Sequence, residues 1–314
     1  MNPRLLSIRY WPTWIGLGLL RCLCRLPYPW QIAVGRRLGR LSLQLARRRR
    51  GIAETNLSLC FPEWTVAERR RLLEEHFVSL GIGILEMAMS WWGTERQLRK
   101  LFTLEGLDNL REALDKGKGV ILLSAHFTTL EIGGRLLSLQ APFHVLYREH
   151  KNAAFESVMQ AARTRNFDKA IPRGDLRGML KSLGQNMPVW YAPDQDHGAD
   201  HSLFVPFFGA PAATLTAVSR LARLSGAAIV PFFQVRLPGD RGYRLTLSPA
   251  LADFPGESIE QDLHRVNALI EERVRERPEQ YLWVHRRFKT RPPGMPDVYK
   301  IIHRRDAEDA KKAK

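Results

Sequence analysis

The sequence predicts an α/β domain: a mostly parallel central sheet flanked by helices, with an N-terminal membrane-anchor helix. Two observations carry this reading. Short apolar, β-branched runs alternate with amphipathic helical patterns from about residue 108 to residue 285. The first 50 residues are instead basic, aromatic and free of acidic side chains, with 11 arginines. At 314 residues, the chain is long enough to bury a large core, so one domain with appendages is expected rather than two equal domains.

The basic segment comes first. The formal net charge is +16, and the first 50 residues supply 11 of it, leaving 5 for the other 264. An excess of this kind points to an anionic partner: nucleic acid, a phosphorylated substrate or a membrane surface. Tyr10, Trp11, Trp14, Tyr28 and Trp30 lie among these arginines and flank an apolar stretch, which suits a membrane–water interface better than a DNA groove. Only 11 uncharged residues separate Arg9 from Arg21, where a spanning helix needs about 20. The segment therefore anchors, either as a short span with snorkelling arginines or flat in the interface; a basic amphipathic helix packed on the domain is the alternative. No A-x-A-type cleavage site follows the apolar stretch, and prolines recur instead, which argues against a signal peptide. Cys22, Cys24 and Cys60 form no C-x-x-C pair, so neither a disulfide framework nor a zinc site is indicated. Arg47–Arg50 would lie on the cytoplasmic face under the positive-inside rule. The expected organisation is an anchor over 1–45, a catalytic body over 46–296 and a charged, disordered tail over 297–314.

A helical pattern fills 66–92, amphipathic at first and apolar toward Trp91 and Trp92. Strands are expected at 119–125, 143–147, 187–192, 227–235, 243–247 and 281–285. Helices are expected at 108–116, 129–139, 153–165, 175–184, 212–225 and 258–276. Pro231 lies inside the fourth strand and argues for an edge position or a bulge there. In parallel sheets ligands bind beyond the carboxyl ends of the strands, so the residues just after each strand are the ones to inspect.

The first of these ends is the most informative. The run Gly119–Ala125 ends on His126, and a carboxylate, Glu131, follows five residues later. On one continuous helix that offset turns two side chains roughly 140° apart. They meet only if His126 occupies the turn before a helix and Glu131 its first turn, and Thr128 and Thr129 are suitable N-caps for that helix. A carboxylate-oriented histidine at such a turn is what a general base requires; a histidine that only caps the helix is the alternative. Further strand ends supply Tyr147 and Arg148, Asp194 through His197, and the basic stretch from His285 to Arg291, while the helix after 147 carries Arg163 and Arg165. A histidine, carboxylates and arginines at one edge suit acyl transfer onto a hydroxyl of an anionic acceptor.

Other chemistries are poorly served. The sequence has no G-x-S-x-G, no Walker A motif, no G-x-G-x-x-G after a strand and no H-E-x-x-H. Asp194, Asp196, His197 and His201 read as loop and capping residues rather than as metal ligands, so no metal is expected. The apolar run Phe204–Phe208 is a candidate acyl-channel wall, with core packing as the alternative.

His126-x4-Glu131, Val145–Arg148, Val189–Asp194 and Ile229–Phe232 resemble the ordered motif blocks of the lysophospholipid and glycerolipid acyltransferase superfamily. Tyr10-Trp-x-Thr-Trp-x-Gly16, Leu26-Pro-Tyr-Pro29, Asn56–Pro62, Asp175–Met179 and Glu279–Pro292 narrow the likeness. They resemble the bacterial late acyltransferases of lipid A biosynthesis, the Kdo-dependent lauroyltransferase branch in particular. The resemblance implies a glycerolipid-acyltransferase-like fold. It also implies transfer of a fatty acid, laurate, from acyl-acyl-carrier protein to a hydroxyacyl chain of the Kdo-bearing lipid A precursor. A myristoyl or palmitoleoyl lipid A acyltransferase, or a lysophospholipid acyltransferase, is the alternative. By motif, His126 is the base and Glu131 its orienting partner; Arg163, Asp194, Tyr147 and Arg148 are substrate-binding. Spacing alone does not separate Arg163 from Arg165, but the motif favours Arg163. Arg286 and Arg287, with Lys289 and Arg291, are the candidates for the acceptor's phosphates. No cofactor is implied, the expected site is the cytoplasmic face of the inner membrane, and a nucleic-acid partner is not expected.

Overall fold

The computed structural model describes residues 3–300. Trp11–Leu23 (α1), Tyr28–Leu45 (α2), Arg47–Cys60 (α3) and Val66–Trp92 (α4) form a helical first third, followed by one turn at Glu95–Leu98 (α5). The alternating region then runs Phe102–Glu105 (β1), Leu107–Leu114 (α6), Val120–Leu123 (β2), Leu130–Leu137 (α7), His144–Tyr147 (β3) and Ala153–Asn166 (α8). It continues with Lys169–Pro172 (β4), Leu176–Gly184 (α9), Pro188–Tyr191 (β5), Ser202–Phe207 (β6) and Ala210–Leu215 (β7). Ala217–Ser225 (α10), Ala228–Arg236 (β8), Tyr243–Leu247 (β9) and Ile259–Glu276 (α11) complete it.

Among the described residues the main sheet has seven strands, ordered β1-β9-β8-β2-β5-β3-β4, with β8–β9 the antiparallel pair. Its centre explains the apolar run before His126. All four β2 residues are buried, and they feed two cores in alternation: Ile121 and Leu123 on one face, Val120 and Leu122 on the other. Both faces being covered, alternation with polar residues would have been destabilising there.

Four details depart from the sequence expectation. Pro231 lies in an interior strand, not at an edge. Residues 228–231 of β8 pair with β2, and 232–236 pair with β9, so the missing N–H falls where the strand changes partner. The pattern read as a helix over 212–225 is split. Residues 210–215 pair with 202–207 through a two-residue turn whose Phe208 and Gly209 both have positive φ, and only 217–225 is helical. The 281–285 run makes one bridge, Tyr281 to Phe127, and then turns, because Tyr281 and Trp283 are both held in the core with ring centroids 4.8 Å apart. Finally, β1 and β4, each of four residues, were too short to stand out in the sequence.

The helix over 66–92 forms as expected. Thr65 and Glu68 build a capping box at its start, with Thr65 N donating to Glu68 Oε2 at 2.7 Å. Of the segment expected to anchor, α2 packs closely on α4. A Cβ on Gly81 would lie 2.2 Å from Gly35 O and 2.3 Å from Gly39 N, so only glycines allow this approach. Among the described residues no helix is long and apolar enough to cross a membrane. Exposed apolar side chains nonetheless line one stripe of α1 (Trp11, Ile15, Leu19) and one of α2 (Trp30, Leu38, Leu41, Leu45). Of the stretch expected as a disordered tail, Tyr299 is buried and its hydroxyl donates to Asn56; residues 301–314 lie outside the described residues.

Candidate active site

His126 follows β2 in the turn before α7, and Glu131 lies in the first turn of that helix, as the spacing requires. Thr129 holds the N-cap position without making the cap bond, while Thr128 Oγ1 pairs with Ser79 Oγ at 2.7 Å. The expected link between His126 and Glu131 does not form. His126 Nδ1 is 2.7 Å from Asp194 Oδ1, and the His126 backbone N–H donates to Asp194 Oδ2 at 2.9 Å. Asp194 reaches this position because β5 pairs directly with β2, which brings its outgoing loop beside that of His126. Glu131 faces the other way, with Oε1 3.5 Å from Arg163 Nη2.

The carboxylate that orients the imidazole is therefore Asp194, which had been expected to touch substrate. It is 2% exposed. Burial alone would raise its pKa, but the charge on His126 and two hydrogen bonds from it hold the carboxyl down at about 2. With Nδ1–H given to Asp194, His126 presents Nε2 as its free base, and the ring of Trp190 packs edge-on against it at 6.1 Å.

Trp190 also lines a solvent-open, mainly apolar pocket with Leu130, Phe143, Val145, Leu146 and Phe167. Glu131 and Arg163 form its polar side, and the Arg163 guanidinium lies 5.9 Å from the Tyr147 ring centre. Arg165 is directed elsewhere, donating to the Trp91 carbonyl. The apolar run at 204–208 does not contribute to this wall: Val205, Phe207 and Phe208 are buried in the core.

Within the basic stretch at the carboxyl end, Arg287 has a different part from the one expected. Arg287 is 2% exposed and donates to Ala213 O at 2.6 Å and Thr214 Oγ1 at 2.8 Å, so its guanidinium is committed inside the protein. Arg291 donates to Pro211 O, and Arg286 is half-buried on the same turn. This segment instead ties the site together. Leu282 N donates to His126 O at 3.0 Å, Thr128 N to Gln280 O at 2.7 Å, and Thr290 N and Oγ1 to the buried Asp196. Asp196 N donates to His285 Nε2 at 3.2 Å, and burial depresses His285 to about 4, so it is neutral at physiological pH.

A second support was invisible in the sequence. The Arg236 guanidinium, 9% exposed, makes a bidentate pair with Glu86 at 2.6 and 2.8 Å, and Tyr243 OH donates to the same carboxylate. Arg236 also donates to Ser79 Oγ, the partner of Thr128, so a buried ion pair braces the His126 loop from α4 and β8. Its members lie 150 residues apart, and neither belongs to a motif. Among the described residues, no group of three or more His, Cys, Asp or Glu side chains is placed to hold a metal ion.

At the end of β2 a buried carboxylate thus orients a partly exposed imidazole beside an apolar pocket, the arrangement of a general base. The family model for bacterial lipid A biosynthesis acyltransferases matches residues 1–290. The chain belongs to that family. It is an acyltransferase. It is similar to the lipid A biosynthesis palmitoleoyltransferase of Escherichia coli, 41% identical over 93% of this chain and 95% of that one. The lauroyltransferase of the same organism is 40% identical over 95% and 98%, and the myristoyltransferase 32% over 93% and 91%. Among solved structures, the 1-acyl-sn-glycerophosphate acyltransferase PlsC of Thermotoga maritima overlays with a TM-score of 0.37 at 14% identity, covering 74% of this chain and 98% of that one. Family members named for lauroyl and palmitoleoyl transfer thus match this chain almost equally well.

Proposed function

We propose that the protein transfers a fatty acyl chain from acyl-acyl-carrier protein to a hydroxyacyl chain of the Kdo-bearing lipid A precursor. The observation that carries this reading is the His126–Asp194 pair opening beside an apolar pocket, in a chain of this family. His126 Nε2 removes the acceptor's hydroxyl proton as the oxygen adds to the thioester carbonyl. The tetrahedral intermediate then collapses, the C–S bond breaks, and the leaving thiolate takes the proton from the imidazolium. A thioester is already activated, so a positioned base suffices without a covalent enzyme intermediate. Asp194 fixes the tautomer and stabilises the imidazolium that forms between the two proton transfers. The pocket behind Trp190 takes the acyl chain, and Arg163, held by Glu131 and Tyr147, faces its polar mouth.

The enzyme works at an anionic membrane surface, the cytoplasmic face of the inner membrane. The exposed apolar stripes of α1 and α2, among the 11 arginines of the first 50 residues, support interfacial docking rather than a span. In the test, the purified protein receives carrier-protein thioesters and the Kdo-bearing acceptor, and His126→Ala abolishes transfer. Lauroyl, palmitoleoyl and myristoyl donors offered in competition identify the chain, with lauroyl expected to be preferred. Lysophosphatidic acid as sole acceptor should yield nothing; efficient transfer to it, or full activity of His126→Ala, would refute the proposal.

A further inference from the structure

The loss of Arg287 as a candidate phosphate ligand leaves open where an anionic group of the substrates is held, and the sheet edge beside His126 supplies an alternative. Strands β3 and β4 are parallel and in register to their last residues, Tyr147 opposite Pro172. Arg148 and Arg173 therefore leave the sheet side by side, and Arg173 N donates to Tyr147 O at 2.7 Å, tying the two turns together. Neighbouring strands are about 4.8 Å apart, so the backbone starts these two exposed side chains from adjacent positions. Among the described residues neither has a carboxylate within ion-pair distance, although Glu149 and Asp175 are close in sequence. Like charges side by side repel, and for these two exposed side chains solvent supplies the screening.

The third strand end adds a donor. Arg173 Nη2 donates to His197 Nδ1 at 2.5 Å, on the loop that begins with Asp194. That bond leaves the proton of His197 on Nε2. Burial, and after it Arg173 and His126, keep the ring neutral by lowering its pKa to about 4. His197 thus lies within electrostatic reach of the base itself. Burial and then Arg148 also lower Arg173.

The geometry points to a phosphate-ester site formed by Arg148, Arg173 and His197 at the carboxyl edge of β3, β4 and β5. Two guanidinium forks and one imidazole N–H, with no carboxylate among them, match the acceptor set of a phosphate rather than that of a cation or a neutral sugar. The site deepens the proposed function and rests on it. Two substrates of that reaction carry such an ester: the acceptor on its sugar, and the donor on its pantetheine arm.

The experiment separates these sources. Arg173→Gln and Arg148→Gln are assayed with the intact acceptor and with one stripped of its phosphates, then with thioesters on phosphopantetheine and on pantetheine. If the acceptor's phosphate is held here, each variant raises its KM about 10- to 100-fold with kcat little changed, and the wild-type advantage disappears with the stripped acceptor. If the donor's phosphate is held, the same pattern appears with the donor pair. Equal penalties on phosphorylated and unphosphorylated substrates, or none, would overturn the site. Wild-type transfer in those same assays keeps this result distinct from failure of the functional reading. Independently of turnover, inorganic phosphate should raise the melting temperature of wild type and not that of the Arg148→Gln/Arg173→Gln double variant; equal shifts in both would also overturn it.

Discussion

Asp194→Asn is the substitution that separates the two carboxylates as partners of His126. The carboxylate accepts two bonds, from the His126 backbone N–H at 2.9 Å and from Nδ1 at 2.7 Å. An amide has one acceptor. If its oxygen stays on the backbone N–H, its NH2 faces Nδ1, and the imidazole must carry its proton on Nε2, where it no longer serves as a base. The variant also removes the negative charge that stabilises the imidazolium. General-base assistance is worth about 10²–10⁴-fold in rate, so kcat should fall by that factor, which is ~3–5 kcal/mol in the barrier. The loss belongs in kcat rather than KM, because the imidazolium exists only once the hydroxyl has begun to react. Single-turnover transfer from a radiolabelled carrier-protein thioester, with Glu131→Gln in parallel, measures it. Glu131→Gln should cost less, since it loosens Arg163 at the pocket mouth and leaves the base intact. A kcat for Asp194→Asn within tenfold of wild type, together with a thousandfold loss in Glu131→Gln, would refute the assignment.

Three other outcomes follow from the geometry. Burial lowers His76 to about 4, against the bond from its Nδ1–H to Glu279 O; the unfolded chain takes up a proton below about 6.5 and the folded one does not, so stability falls as the pH drops through that window. His76→Phe should therefore remove about 2 kcal/mol of the difference in urea unfolding free energy between pH 7 and pH 5, and an unchanged difference would count against a neutral buried ring. Glu86→Gln leaves the Arg236 guanidinium buried without its charge partner and should cost about 3–5 kcal/mol in thermal or urea unfolding. Phe167→Ala lengthens the pocket where Phe167 packs on Phe143 with ring centroids 5.4 Å apart, so competition assays should shift toward longer donors by about tenfold per methylene; an unaltered product distribution would place the acyl chain elsewhere.

The sequence made the sheet legible where apolar runs were long and bounded by glycine, as at Gly119–Leu123, and the long 66–92 helix was readable because its cap and period agree. It concealed what depends on pairing between distant segments. The start of the pattern read as helix over 212–225 belongs to the strand Ala210–Leu215, which forms only because 202–207 turns back on it. His126 was legible as a base from its place at a strand end, but its partner was not. A carboxylate five residues away is a local candidate, whereas Asp194 is 68 residues away and arrives only through the β2–β5 pairing. The arginines after Trp283 looked like ligands by charge, yet a guanidinium satisfied by carbonyl oxygens, like that of Arg287, looks the same in sequence as one left open.

The bonds from Gln280, Leu282 and Thr290 to the loops carrying His126, Asp194 and Asp196 have a consequence for synthesis. A chain emerging amino end first delivers its arginine-rich, apolar helices at once and the histidine loop midway, but the residues that hold that loop come nearly last. The helices proposed to dock on a lipid surface are therefore made well before the catalytic loop is fixed. Contacts of this sequence separation also form slowly, since loop closure must precede any gain from them. Activity thus reports on completion: a polypeptide cut short before residue 280 keeps its basic helices and its histidine but lacks the backbone groups that tie down the loop carrying that histidine.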